Sequence, residues 1–191
     1  MPFVSKKITL KDGQVVTLRS PKLSDVKMLQ RFINDASKEK TFILAQGKKY
    51  SYQEELEYVK RLLKNIKQKQ SVALVFETGN RIIGNAQIHK RKEDIHSHIA
   101  DFHITISHDY RGFGLGKILM TEIHNFASQE LKEIKMFCLS VFGNNTVALR
   151  LYKQFGYVIY GKLPQGIFHR GEYVAGIDMY KVFNKNTQPE G

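Results

Sequence analysis

Between Asp101 and Met120 the hydrophobic period changes from two to 3.6 within a few residues, and glycines fill the change. Residues 101–106 alternate polar and apolar, the pattern of a half-buried strand. Leu115, Ile118, Leu119, Ile123, Phe126, Ala127 and Leu131 then recur at helical spacing. Gly112, Gly114 and Gly116 remove three side chains where the backbone turns, so consecutive N–H groups can point outward at the positive end of a helix. A strand–glycine–helix unit of this kind is an anion seat suited to phosphate oxygens. Two familiar versions are excluded by spacing. A P-loop ends in Gly-Lys-Ser/Thr after a glycine five positions earlier, but Ile118 follows Gly116-Lys117 and position 111 is Arg. The dinucleotide fingerprint needs a third glycine where Lys117 stands, and Glu130 and Glu133 lie at the end of the helix.

Further along, Asn145-Thr-Val-Ala-Leu-Arg-Leu-Tyr-Lys-Gln-Phe-Gly-Tyr157 predicts a short helix capped by Asn145 and closed by Gly156 in a left-handed conformation. Asn145 and Tyr152 are about two turns apart at 3.6 residues per turn, so they share a face. Alone, Asn145 reads as a plain cap and Tyr152 as a core tyrosine. Taken with Arg111-x-x-Gly114-x-Gly116 after a strand, the run resembles the acetyl-CoA motifs of the GCN5-related N-acetyltransferases, the GNAT superfamily.

The resemblance implies an α/β GNAT fold: a mixed, mostly antiparallel sheet splayed between its fourth and fifth strands and flanked by helices. It implies one domain over 1–183, with 184–191 a polar tail. Acetyl-CoA is the implied acyl donor. Its pyrophosphate would rest on the loop of Arg111, Gly112, Phe113, Gly114, Leu115, Gly116 and Lys117. The backbone of Ile104, Thr105 and Ile106 would bond the pantetheine arm, and one of those amides would steady the oxyanion. Asn145 would contact the donor, and Tyr152 would lie beside its sulfur and protonate the departing thiolate. Direct attack by an amine needs no enzyme nucleophile, so Cys138 and the serines are not candidates. In ribosomal-protein N-terminal acetyltransferases, which the chain resembles around both motifs, a glutamate on the strand before the second motif serves as base; Ser140 holds that position here. Asp101 and His103, alternating onto one strand face, are the substitutes. His108 replaces the proline of many relatives and is read as neutral.

Length and composition bound the alternatives. A chain of 191 residues without a low-complexity linker is expected to fold as one domain. No apolar run approaches the ~18 residues of a membrane span, and Met-Pro-Phe-Val-Ser-Lys-Lys lacks a signal peptide's apolar core. A soluble, cytoplasmic protein is expected. The single cysteine, Cys138, lies in an apolar run and reads as a small buried hydrophobe in a reducing compartment. The formal charge of +12 raises nucleic acid as a partner, but the basic residues are dispersed and densest at helical spacing over 60–69, a solvated face. Attraction of a polyphosphorylated donor accounts for part of that bias. His96, His98 and His103 lack a Cys or carboxylate at ligand spacing, so no metal is expected.

In chain order, residues 8–19 predict two short strands around Asp12-Gly13, with a helix to about Ala36 capped by Ser24. A second helix from Ser51 to about Gln68 opens on the capping box Ser51-x-x-Glu54. Residues 71–77 and 81–90 form a hairpin, followed by the strand 99–107, the anion-seat helix and a strand over 135–141. After helix 145–155, strands 157–162 and 172–182 close the chain around Leu163-Pro164 and Arg170-Gly171. That closing pair resembles those of GNAT enzymes acting on amino acids or polyamines, which points to a small primary amine as acceptor, without a membrane partner. The alternatives are a protein N-terminal or lysine acetyltransferase and, in another class, a non-catalytic CoA-binding or nucleic-acid-binding regulator. A homodimer is left open.

Overall fold

The computed structural model describes residues 5–183, so the polar tail expected over 184–191 lies outside the described residues. The strands are β1 (Lys6–Thr9), β2 (Val15–Arg19), β3 (Ser71–Thr78), β4 (Arg81–Lys90), β5 (Ile99–Ile106), β6 (Met136–Phe142), β7 (Val158–His169) and β8 (Glu172–Val182). The helices are α1 (Val26–Lys38), α2 (Tyr52–Lys67), α3 (Leu115–Glu130) and α4 (Thr146–Gln154). One sheet carries the strands in the order β1-β2-β3-β4-β5-β6-β8-β7. Its pairs are mostly antiparallel, while β5 and β6 run parallel and are paired only from Ile99↔Met136 to Asp101↔Cys138. The two strands expected to splay, the fourth and fifth when residues 8–19 are counted as one, are β5 and β6. Among the described residues no helix is long and apolar enough to cross a membrane.

The chain divides into two compact units, with a break inside β5 between Phe102 and His103. The first holds β1 to β4, α1, α2, the end of β5 and α3. Val26, Leu29 and Phe32 of α1 are buried with Val59 of α2, Val75 of β3 and Ile82 of β4. Because α3 also lies against β3, residues 71–76 are buried on both faces and read as a continuous apolar run. Ser51 caps α2 as expected: its hydroxyl accepts the Glu54 N–H at 3.2 Å, and the Glu54 carboxylate accepts the Ser51 N–H at 2.8 Å.

Ser24 is not the cap of α1. It sits inside a 3-10 turn, Leu23–Asp25, and the neighbouring Asp25 carboxylate accepts the Lys22 N–H. Asp25 is fixed there by a two-pronged bond from buried Arg19, at 2.7 and 2.9 Å, and Arg19 also donates to Glu77 at 2.5 Å. A buried guanidinium needs such partners, and meeting that need sets the helix start.

The second unit holds the start of β5, then β6, α4, β7 and β8. Strands β6 and β8 pair in unbroken register from Met136↔Val182 to Phe142↔Gly176. Strand β7 runs past Leu163-Pro164 to His169, longer than expected, because a register irregularity between Leu163 and Ile167 accommodates the proline. The tight turn is at Arg170-Gly171 alone, both with positive φ (54° and 86°), as a type I′ hairpin demands.

Candidate functional site

In the first unit the glycine loop forms as the sequence expects. Gly112 and Gly114 have φ of +84° and +79°, and a Cβ added to either would meet nothing within 4 Å. Glycine is needed for the left-handed backbone, not for lack of space. Gly114 caps α3 with no side-chain hydrogen bond, and its carbonyl accepts the Lys117 and Ile118 N–H groups at 3.0 and 3.2 Å. Among the described residues the amides of Gly112, Phe113, Gly114, Leu115 and Gly116 have no acceptor. Five consecutive free donors at a helix N-terminus are an anion seat made of backbone alone. Buried Leu115, Leu119 and Ile123 anchor the helix behind it.

Arg111 is committed elsewhere. Its Nε donates to the Ile106 carbonyl at 3.0 Å and its Nη2 to Glu39 Oε2 at 2.8 Å, tying the loop to the end of β5 and to the residue after α1. Just past β5, Ser107 N–H donates to Ile83 O on β4. By strand alternation Thr105 therefore turns toward β4, and Ile104 and Ile106 toward the opposite edge. His103 is exposed, its ring stacked on His89 at 5.4 Å and 5°.

The same unit contains a carboxylate that sequence reasoning treated as part of a helix. Glu55 is 6% exposed, its carboxylate makes no hydrogen bond or ion pair among the described residues, and burial pushes its pKa up to about 7. Its signal in the sequence is a charge at the apolar-stripe spacing of Val59 and Leu62.

In the second unit α4 is built as predicted. Asn145 Oδ1 accepts the Ala148 N–H at 3.1 Å. At the other end Gly156 N–H bonds Lys153 O, and Tyr157 N–H bonds Tyr152 O, a Schellman closure with Gly156 at φ +81°. This pins Tyr152, whose ring meets Phe102 edge-on at 6.3 Å and Tyr157 at 6.0 Å. Burial pushes the Tyr152 hydroxyl up to about 12, so it keeps its proton at neutral pH. Asn145 and Tyr152 thus occupy the two ends of one short, well-closed helix.

Strand register assembles a polar group on β5, β6 and β8. Asp101 receives a two-pronged bond from Arg91, with contacts of 2.8 to 3.2 Å, which holds the Arg91 guanidinium firmly protonated. Cys138, opposite Asp101, is buried, and that burial pushes its thiol pKa up, the wrong direction for a nucleophile. Ser140 stands opposite Asp178 on β8, and its hydroxyl donates to Asp178 Oδ1 at 2.5 Å. Asp178 was not singled out from the sequence. The available signal was one carboxylate within an otherwise apolar or small-residue strand, Val174 to Tyr180.

The acetyltransferase (GNAT) family model matches residues 30–157, more than half of the chain, and this chain belongs to that family. It is 29% identical over 101 residues to the L-amino acid N-acetyltransferase AaaT of Escherichia coli (strain K12), covering 53% of this chain and 62% of that protein. It is also 29% identical over 112 residues to the N-terminal acetyltransferase B complex catalytic subunit NAA20 of Arabidopsis thaliana, covering 58% of this chain and 61% of that one. The chain thus spans about three fifths of the length of these curated relatives. A crystal structure of a GNAT-family acetyltransferase from Streptococcus pneumoniae superposes with a TM-score of 0.79 at 25% identity, over 88% of this chain and 99% of that one.

Proposed function

We propose that this chain is an N-acetyltransferase that moves the acetyl group of acetyl-CoA to the primary amine of a small molecule. The observation that carries the reading is the run of five acceptor-free amides from Gly112 to Gly116, which fits a pyrophosphate and has no role in the fold's own hydrogen bonding. Acetyl-CoA supplies the activated carbonyl and a thiolate leaving group. The chain's part is to hold, orient and move protons. The seat amides take the phosphates, and the edge-facing backbone of Ile104 and Ile106 receives the extended arm of the donor. An amide on that edge steadies negative charge on the carbonyl oxygen during attack.

Tyr152 supplies the proton that the leaving sulfur needs; the ring is pinned by its aromatic neighbours and its hydroxyl stays protonated at working pH. Asn145 uses its carbonyl on the helix cap, leaving its amide N–H groups for the donor. Asp101 and His103 are the proposed takers of the amine proton. Asp101 enters that role with its oxygens already engaged by Arg91, and His103 with its ring stacked on His89.

Thiol release measured with acetyl-CoA across amino acids, polyamines, aminoglycosides and short peptides tests the proposal, with turnover expected for a small amine. Similarity to an N-terminal acetyltransferase subunit supports a second reading, in which the acceptor is a peptide N-terminus. Turnover confined to the peptides would establish that reading instead. Donor binding without turnover of any amine would reduce the chain to a CoA-binding protein.

A further inference from the structure

On β8 of the second unit stands a carboxylate that its surroundings neither neutralise nor enclose. Asp178 has one oxygen on the Ser140 hydroxyl at 2.5 Å, and among the described residues no cationic side chain pairs with it. The nearby guanidinium of Arg91 is spent on Asp101. Across from Asp178 on β7 stands Gly161, where even a methyl group would lie 3.3 Å from Asp178 Oδ2, so the missing side chain leaves that oxygen open. A β-bulge at Tyr160 precedes Gly161, and the Tyr160 ring meets Tyr180 edge-on at 5.8 Å and 75°. Tyr180 lies two residues beyond Asp178 on β8, on the same face of the strand. Tyr160 itself is 58% exposed.

An accessible carboxylate beside aromatic rings is the chemistry that recognises an alkylammonium, through charge pairing and cation–π attraction. The hydrogen bond from Ser140 fixes the direction of the carboxylate, which suits a lasting ion pair with a cation held in one place. A lasting pair cannot be made with the nitrogen that reacts, because that nitrogen must be neutral when it attacks. The partner must be a second, non-reacting cation on the same acceptor. An amino-acid acceptor would instead ask this face for a free cation to meet its carboxylate, and Arg91 is already taken.

We propose that Asp178, held by Ser140 and uncovered by Gly161, is the anchor for the non-reacting ammonium of a diamine or polyamine acceptor. The proposal rests on the amine-acetylating reading above and narrows it to one substrate class. Asp178 is then a specificity-determining residue, with the protons of the reaction handled elsewhere.

The test compares putrescine with n-butylamine, which has the same four-carbon chain but one ammonium. The wild-type protein is expected to favour putrescine in kcat/KM by about 10-fold or more. In Asp178→Asn the KM for putrescine rises by a similar factor while kcat, the butylamine constants and the acetyl-CoA Kd stay near wild type, so the preference disappears. Ser140→Ala, which keeps the carboxylate but releases its direction, gives a smaller loss of the same kind. Equal use of the two amines by the wild-type protein overturns the proposal without recourse to any variant. So does a preference that survives in Asp178→Asn. If no amine is turned over, calorimetric titration of putrescine into both proteins still decides. Binding to wild type that is lost in Asp178→Asn upholds the anchor while the transferase reading falls, and equal or absent binding rejects the anchor as well.

Discussion

On the proposed function, the two units meet different recognition problems with different parts of the polypeptide. In the first, the anion seat is backbone: two left-handed glycines and five free amides, with the nearest guanidinium turned to Ile106 and Glu39. In the second, side chains do the work: Tyr152 held by a helix closure, Asp101 forked by Arg91, Asp178 held by Ser140. A backbone site depends on φ values that side chains disfavour, so it is strained by adding a Cβ and repelled by adding a negative charge. A side-chain site is broken by removing atoms.

The largest expected effect comes from adding atoms to the seat. Gly114→Asp puts a charge and a Cβ on a residue at φ +79° and is expected to weaken acetyl-CoA by about 100-fold or more in calorimetry. Gly114→Ala sharpens the point, since its Cβ meets nothing; only backbone strain of about 1 kcal/mol remains, a loss of several-fold. If alanine proves as damaging as aspartate, conformation and not charge controls the seat.

Removing one oxygen from the second unit comes next. Tyr152→Phe keeps the ring packing against Phe102 and Tyr157. It is expected to lower kcat by about 100-fold, the lower end of general-acid effects, with the acetyl-CoA Kd unchanged. An unchanged kcat with the best amine would make Tyr152 a packing residue.

The contrast between these sites also explains what could be read in advance. Glycine spacing, the Asn145 cap and Gly156 are local signals, governed by residues within one or two turns of each other. The pairing of Ser140 with Asp178 is not local; it exists because β6 and β8 meet in a register set by packing 38 residues apart along the chain. Ser24 misled for the same reason, since a helix start was decided by Arg19 reaching Asp25 and Glu77. Pro164 suggested a strand end, yet β7 continues past it through an irregular register. Arg111 shows the converse. Its position in the motif was visible, but its partners Glu39 and Ile106 were not.

Two carboxylates sharpen the comparison in terms of stability. Asp101 is compensated by Arg91, whereas Glu55 is buried without a partner, its pKa raised from 4.5 to about 7 by burial. The folded protein then binds a proton at Glu55 more tightly than the unfolded chain does. Stability from this group is fully present below pH ~4.5 and is lost as pH rises to about 7 and beyond, a change on the order of 3 kcal/mol. Glu55→Gln removes the dependence. Urea unfolding of both proteins from pH 4 to 8 is expected to give curves that diverge as pH rises, with the variant the more stable at pH 8; parallel curves would mean that Glu55 is solvated. The smallest effect expected is at the α2 capping box, where Ser51→Ala costs about 1 kcal/mol, read as a modest fall in Tm with the acetyl-CoA Kd untouched.

Because the amides from Gly112 to Gly116 carry no side-chain chemistry of their own, they discriminate poorly among anions of similar size and charge. If the loop holds the donor's phosphates as proposed, sulfate or inorganic phosphate at high concentration competes for the same amides, and the choice of buffer becomes a variable in every donor affinity measured on this protein. The same feature limits adaptation. Substitutions that add a side chain to the loop weaken its hold on all anions together, so any change in which acyl donor is preferred has to be made at residues that meet the acyl end.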